Sequence, residues 1–192
     1  FAAPVRTLVL FGELKPYKGL EVLLEALAQT TTPQLRLVVA GRPRMEDAAL
    51  VDRARILGLA DRIEWRLHRL DEAELADVLG RADAFVLPYL HADASGVLAL
   101  VLALGRPLVA SRVGAIAEVL EDGVSALLVP PGDVGALAQA LDRLVDDGTA
   151  SKLALGTAEA LRRIGTWEAV AARHVGLYHK VLAQRPSRTI TP

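Results

Sequence analysis

The stretch HADASGVLALVLALGRPLVASRVGAIAEVLEDGVSALLVPPGD, His91 to Asp133, sets the reading of the whole chain. It leaves an apolar strand and passes through Ser95-Gly96 into an apolar helix. A second strand, a Gly turn and an acidic residue then follow in quick succession. A Ser-Gly turn at a helix start presents unpaired backbone N–H groups and the positive end of a helix dipole, which suits a phosphate. Ser95 is a natural N-cap, and Gly96 lets a ligand approach the backbone. The same residues equally suit a capped core helix with nothing bound.

Outward from this stretch, apolar strand-like runs alternate with segments of helical period, which predicts βα units on a parallel sheet. Toward the N-terminus, RTLVLFG ends in Gly12 and is followed by a helix after Gly19, with Leu20, Leu23, Leu24 and Leu27 on one face. LRLVVAG is a second strand stopped by Gly41, and Glu46 to Leu57 reads as a helix. RIEWRL alternates and reads as a half-exposed or edge strand. Asp71 and Glu74 form a capping box for a helix running to about Gly80. AFVLP is a strand closed by Pro88. The helix Val97 to Leu104 is apolar all round, which predicts a buried helix in the layer covering the sheet. PLVAS and SALLVP are the remaining strands. Toward the C-terminus, Asp133 caps a helix, a second covers about Ala150 to Ile164, and Thr166 caps a third. Trp167, Val170, His174, Tyr178 and Val181 form a stripe on that third helix, expected to be core or inter-domain packing. The expected domain is a single α/β unit over residues 1–183, a Rossmann-like parallel sheet with helices on both faces, followed by a disordered tail at 184–192.

Composition narrows the functional classes. The chain has 192 residues and is 52% hydrophobic, enough for one substantial core. With 22 basic and 23 acidic residues its net charge is −1, so nothing electrostatic predicts nucleic acid as a partner. It has no cysteine, which removes thiol catalysis, disulfides and cysteine metal sites. His68, His174 and His179 have no metal-ligand spacing, and no metal is expected. The longest apolar run, Val97 to Ala110, is broken by Gly105, Arg106 and Pro107, so no transmembrane segment is expected. No complete GxGxxG or P-loop occurs, which counts against a nicotinamide or ATP site.

Three loops carry candidate chemistry. In FGELKPYKGLEVLLEAL a strand ends at Gly12 and Lys18-Gly19 opens a helix. At the carboxyl edge of a parallel sheet, Lys15 and Lys18 could reach a diphosphate, or could be solvated lysines of an ordinary loop. The second loop holds His91, Asp93, Ser95, Gly96 and Val97, and the third holds Gly114 and Glu118. Glu118 equally reads as a helix cap or an arginine partner.

In order and spacing, these loops resemble the nucleotide-sugar-binding half of a GT-B glycosyltransferase of the retaining group 1 family. Lys18 and Gly19 match the family's G-R-x-x-x-x-K-G, ALGRP matches A-x-G-x-P, Gly114 and Glu118 match G-G-x-x-E, and LLVPPGD matches the run that follows. TWEAVAARHVGLYHKVL is similar to the family's terminal helix. The resemblance spans Val5 to about Leu182 and implies a donor site in which Gly12, Lys15, Lys18, Gly19 and the backbone of Ser95, Gly96 and Val97 hold the diphosphate. His91, Asp93, Gly114 and Glu118 are secondary candidates for donor contact. It also implies a UDP- or GDP-sugar as donor with no other cofactor, a separate N-terminal acceptor-binding domain, and a cytoplasmic location, with peripheral membrane attachment through that other half as an alternative. Three departures stand out. The family's two glutamates, eight positions apart, fall on Ala92 and Leu100, and its arginine falls on Glu13. They keep a second reading open, a non-catalytic nucleotide-binding or interaction module derived from such an enzyme.

Overall fold

In the chain's computed structural model, residues 5–92, 95–165 and 167–183 are described. Strands and helices alternate along them: β1 (Thr7–Phe11), α1 (Leu20–Gln29), β2 (Arg36–Ala40), α2 (Asp47–Ile56), β3 (Ile63–Arg66), α3 (Glu72–Gly80), β4 (Ala84–Leu87) and α4 (Gly96–Ala103). Then come β5 (Leu108–Ser111), α5 (Gly114–Val119), β6 (Leu127–Val129), α6 (Val134–Leu144), α7 (Asp147–Ile164) and α8 (Trp167–Ala183). The strands form one sheet in the order β3-β2-β1-β4-β5-β6, and every pairing is parallel. The Rossmann-like α/β expectation is therefore borne out. RIEWRL forms β3 at the sheet edge, as its alternation predicts.

The strands read as unbroken apolar runs because both faces of the sheet are covered. Leu8 and Leu10 of β1, Leu37 and Val39 of β2, and Val86 of β4 pack in one layer with α1, α2 and α6. Val9, Phe11, Val38, Phe85 and Leu87 point the other way, into a layer with Val78 of α3, Leu98, Val101 and Leu102 of α4, and Ile116 of α5. Helix α7 serves both layers: Ala150 and Leu153 lie in the first and Ala160 in the second. It crosses past the segment leading into β6, and a Cβ at Gly156 would stand only 1.9 Å from the Val124 carbonyl oxygen.

The winding reverses between β1 and β4, the adjacent central strands. Loops leaving the carboxyl ends of such strands diverge to opposite sides of the sheet and open a crevice where ligands bind. The two strands are tied at their other end by Asp83, whose carboxylate accepts from the Arg6 and Thr7 N–H groups at 3.0 and 2.8 Å.

Two expectations are corrected and a third is narrowed. Helix α4 is not buried all round: Leu98, Val101 and Leu102 face the core, but Leu100 and Leu104 are exposed, because only one side of α4 meets the sheet and α7. Helix α5 fills a place read only as a turn; its six residues are too few to display a helical period. On α8, His174, Tyr178 and Val181 are exposed, and no described side chain of that helix is buried, so of the two readings of the stripe inter-domain packing stays open; the side chains of Trp167 and Val170 lie outside the described residues. Thr166 and the tail 184–192 lie outside the described residues. Helix α7 begins earlier than the sequence suggests, with Asp146 accepting the Thr149 N–H as its cap. Among the described residues, no helix is long and apolar enough to cross a membrane.

Candidate functional site

The crevice is built from the loop after β1 and the loop after β4. Gly12 ends β1 with φ 98°, a left-handed backbone that favours glycine. A short 3-10 turn, Pro16–Lys18, then folds Lys18 back beneath Gly12. The Lys18 side chain is 4% exposed, and its ammonium donates to the Phe11 carbonyl at 2.8 Å. It also sits 5.6 Å from the centre of the Tyr89 ring. Among the described residues no carboxylate pairs with it. Burial, with the Lys15 charge adding to it, pushes the Lys18 ammonium down to about 8, against the opposing pull of Glu13.

Gly19 joins that turn to α1 with φ 67°, and its Cα faces the other loop so closely that a Cβ would fall 2.0 Å from the Pro88 carbonyl oxygen. The loops are further tied by the Leu90 N–H, which donates to the Tyr17 carbonyl at 2.7 Å. Tyr17 packs against Tyr89 and against His91, with ring centres 5.6 and 5.4 Å apart. Ser95 caps α4, its hydroxyl accepting the Leu98 N–H at 3.2 Å. A Cβ placed on Gly12 would meet Lys18 Nζ at 2.9 Å and Val97 Cγ2 at 3.4 Å, so the β1 loop, the lysine and the first turn of α4 converge on one point. Gly96 is exposed, has no left-handed φ, and would meet nothing within 4 Å if it carried a Cβ.

The structure thus gathers Gly12, Lys18, Gly19, Ser95, Val97 and His91. Lys15 is held slightly apart, bound to Glu13 at 3.3 Å. Gly114 opens α5 at the carboxyl end of β5, one strand away from β4. Glu118 lines a separate groove with Ala160 and Arg163. Asp93 lies outside the described residues. Ala92 packs on the core layer of α4, and Leu100 stands on that helix's exposed side.

Next to Gly12 opens a cavity of about 350 Å³ that the sequence reading missed. Phe11, Leu70 and Leu75 form its apolar side, and Arg42, Arg44 and Arg69 its polar side. The loops after β1 and β2 meet there backbone to backbone: Leu14 N–H donates to Arg42 O at 2.9 Å and Arg44 N–H to Leu14 O at 2.8 Å. Glu13 is gripped by Arg44 at 2.8 Å, and that hydrogen bond holds the Glu13 carboxyl below the usual carboxylate range. The neighbouring acids are engaged elsewhere: Glu64 with Arg66 and Arg81, Asp77 with Arg66, Glu74 with His68 and the Asp71 N–H. Arg42 and Arg69 are left without a carboxylate partner among the described residues. Their signal in the sequence was position alone, since Arg42 lies in the loop that leaves β2 and Arg69 in the loop that leaves β3.

Comparison with known proteins agrees with this arrangement. The family model described as glycosyl transferases group 1 matches residues 5–147. The chain is 34% identical over 181 residues to a phosphatidyl-myo-inositol mannosyltransferase of Mycobacterium leprae, covering 92% of this chain and 47% of that protein. The structure of sucrose-phosphate synthase from Thermosynechococcus elongatus superposes with a TM-score of 0.77 at 30% identity, over 94% of this chain and 46% of that one. The fold is shared with Anabaena HepE, solved with UDP-glucose, at a TM-score of 0.73 and 24% identity over 83% of this chain and 44% of that one. The chain spans less than half the length of these relatives. The reversed winding, the loops that meet at Lys18 and the match over most of the sequence lead to one assignment: the chain belongs to the group 1 glycosyl transferases.

Proposed function

We propose that the chain binds a nucleoside diphosphate sugar, UDP- or GDP-linked, and supplies the donor half of a glycosyl transfer whose acceptor half comes from a second domain. The observation that carries this reading is Lys18, a buried ammonium with no carboxylate partner among the described residues, placed at the switch point of the sheet. Burying an unpaired charge is strongly unfavourable, so such a site is built for an anion. The diphosphate lies at the mouth of α4 and accepts hydrogen bonds from the backbone around Ser95, Gly96 and Val97. The nucleoside extends into the cavity beside Gly12, its flat base against Phe11, Leu70 and Leu75 and its carbonyl oxygens toward the arginines. In the transfer step the sugar leaves the diphosphate. Lys18 and the α4 amides then stabilise the negative charge that develops there, and the rest of catalysis is positioning. The family's habit makes the transfer one with retention.

Calorimetric titration of the chain with UDP and GDP tests the reading. Weak binding that disappears in Lys18→Ala is the expected result, and no binding of either nucleotide overturns it. Sugar transfer is expected only when the chain is joined to an acceptor-binding half. The departures at Ala92 and Leu100 favour the rival, a binding module without catalysis, which requires binding but no transfer even from the joined protein.

A further inference from the structure

Tyr89 follows Pro88 at the carboxyl end of β4 and is 1% exposed. Its ring is fixed edge-on against Tyr17 and lies under the Lys18 ammonium. Its hydroxyl is the one buried side-chain polar atom left without a hydrogen-bond partner among the described residues. Leaving a buried hydroxyl unpaired is unfavourable, and proteins rarely do so without a reason.

The group beside it is Ser95. Burial pushes the Tyr89 phenol up to about 12, and the neighbouring Ser95 hydroxyl offsets part of that rise, although the two do not stand in good hydrogen-bond geometry. A serine hydroxyl has one proton to give and two lone pairs to accept with. Leu98 N–H already occupies one lone pair of Ser95. If Tyr89 fills the second, the serine proton must be given outward, toward the mouth of α4 where Gly12, Lys18 and Val97 converge. Because the Tyr89 oxygen is sealed from solvent, it can act on a ligand only through Ser95.

We propose that Tyr89 is a positioning residue of the phosphate site: as a ligand draws Ser95 inward, the Tyr89 hydroxyl donates to Ser95 Oγ, and the single Ser95 proton is thereby directed to a phosphate oxygen. A hydroxyl that is polarised by one hydrogen bond gives a stronger next one, and the anion at the end of the chain reinforces both. The inference rests on the nucleotide reading above. It assigns a role to side chains where that reading uses only Lys18 and backbone.

The test is titration of Tyr89→Phe, Ser95→Ala and the double variant with UDP and with inorganic pyrophosphate, each beside a thermal melt. Tyr89→Phe removes one oxygen and leaves the packing, so its melting temperature should equal or exceed the parent's. Its affinity for both probes should nevertheless fall about tenfold. Ser95→Ala should lose a similar factor, the double variant no more than either single one, and Ser95→Thr should retain binding. A merely structural tyrosine would lower the melting temperature and spare binding. Parent-like affinity in folded Tyr89→Phe, or losses that multiply in the double variant, overturn the proposal alone. Failure of the parent to bind either probe removes the nucleotide reading and this proposal with it.

Discussion

Lys18 occupies a place where its charge opposes folding and, on the proposed reading, serves binding. Its ammonium is held well below the unfolded value, at about 8, chiefly by burial. The folded state therefore resists protonation of this group, and the penalty, about 3 kcal/mol, is present in full below pH 8. It is relieved as pH rises from about 8 toward the unfolded lysine value. Lys18→Met removes that penalty and leaves one carbonyl, that of Phe11, without its donor. We expect net stabilisation on the order of 2 kcal/mol near neutral pH, together with loss of diphosphate binding, read by denaturant melts and calorimetry. In the parent, diphosphate affinity should fall as pH rises through about 8, since only the ammonium attracts the anion. Gly96→Val separates site from fold in another way. The position is open and helical, so valine should leave the melting temperature unchanged or slightly higher while placing its branch where the anion approaches. Undiminished nucleotide binding by that variant would show that the phosphate lies elsewhere. At this scale the sequence displays Lys18, Gly19 and Ser95, because each follows a strand or opens a helix. It cannot display the burial of Lys18, which is made by Tyr89 and Gly12 from the loops after two different strands, or the grip of Arg44 on Glu13 across two loops.

Among the elements, α7 is the most constrained. An ordinary helical glycine is replaced by alanine with a gain of roughly 0.5–1 kcal/mol. Gly176 in α8 meets nothing within 4 Å and should follow that rule. Gly156 should reverse it: the added methyl would lie 1.9 Å from a backbone oxygen, which cannot rotate away as a side chain can. Gly156→Ala should destabilise by about 3 kcal/mol, measured against Gly176→Ala in the same denaturant series. Five of the six strands were legible as short apolar runs closed by Gly, Pro or Ser, and β3 by its alternation. The capping box of α3 was legible to the residue, with Glu74 N–H to Asp71 at 2.9 Å and Asp71 N–H to Glu74 at 3.0 Å. Helix α4 misled because an all-apolar sequence carries no sign of which side meets the sheet, and the stripe of α8 left two readings open because a regular apolar stripe does not say what it packs against. Of that stripe, His174, Tyr178 and Val181 are exposed in this chain.

Over the whole molecule, two apolar layers share one sheet, and α7 is the element anchored in both. Backbone amides of β1, β4 and α7 should therefore exchange with solvent only on global unfolding, while those of α8 exchange far sooner; equal protection of α7 and α8 in a hydrogen-exchange experiment would contradict this. The same feature decides what can be excised. The segment by which the family is recognised stops at residue 147, where α7 begins. A chain cut there loses Ala150, Leu153, Thr157 and Ala160, all buried, and both faces of the sheet are laid open along the path α7 had covered. Among the described residues, a chain cut after Gly165 loses only α8, none of whose described side chains is buried. The shorter piece should be recovered aggregated and the longer one should melt cooperatively. The smallest unit of this protein that can be inherited, grafted or fused as a working part is thus longer than the unit by which its ancestry is read.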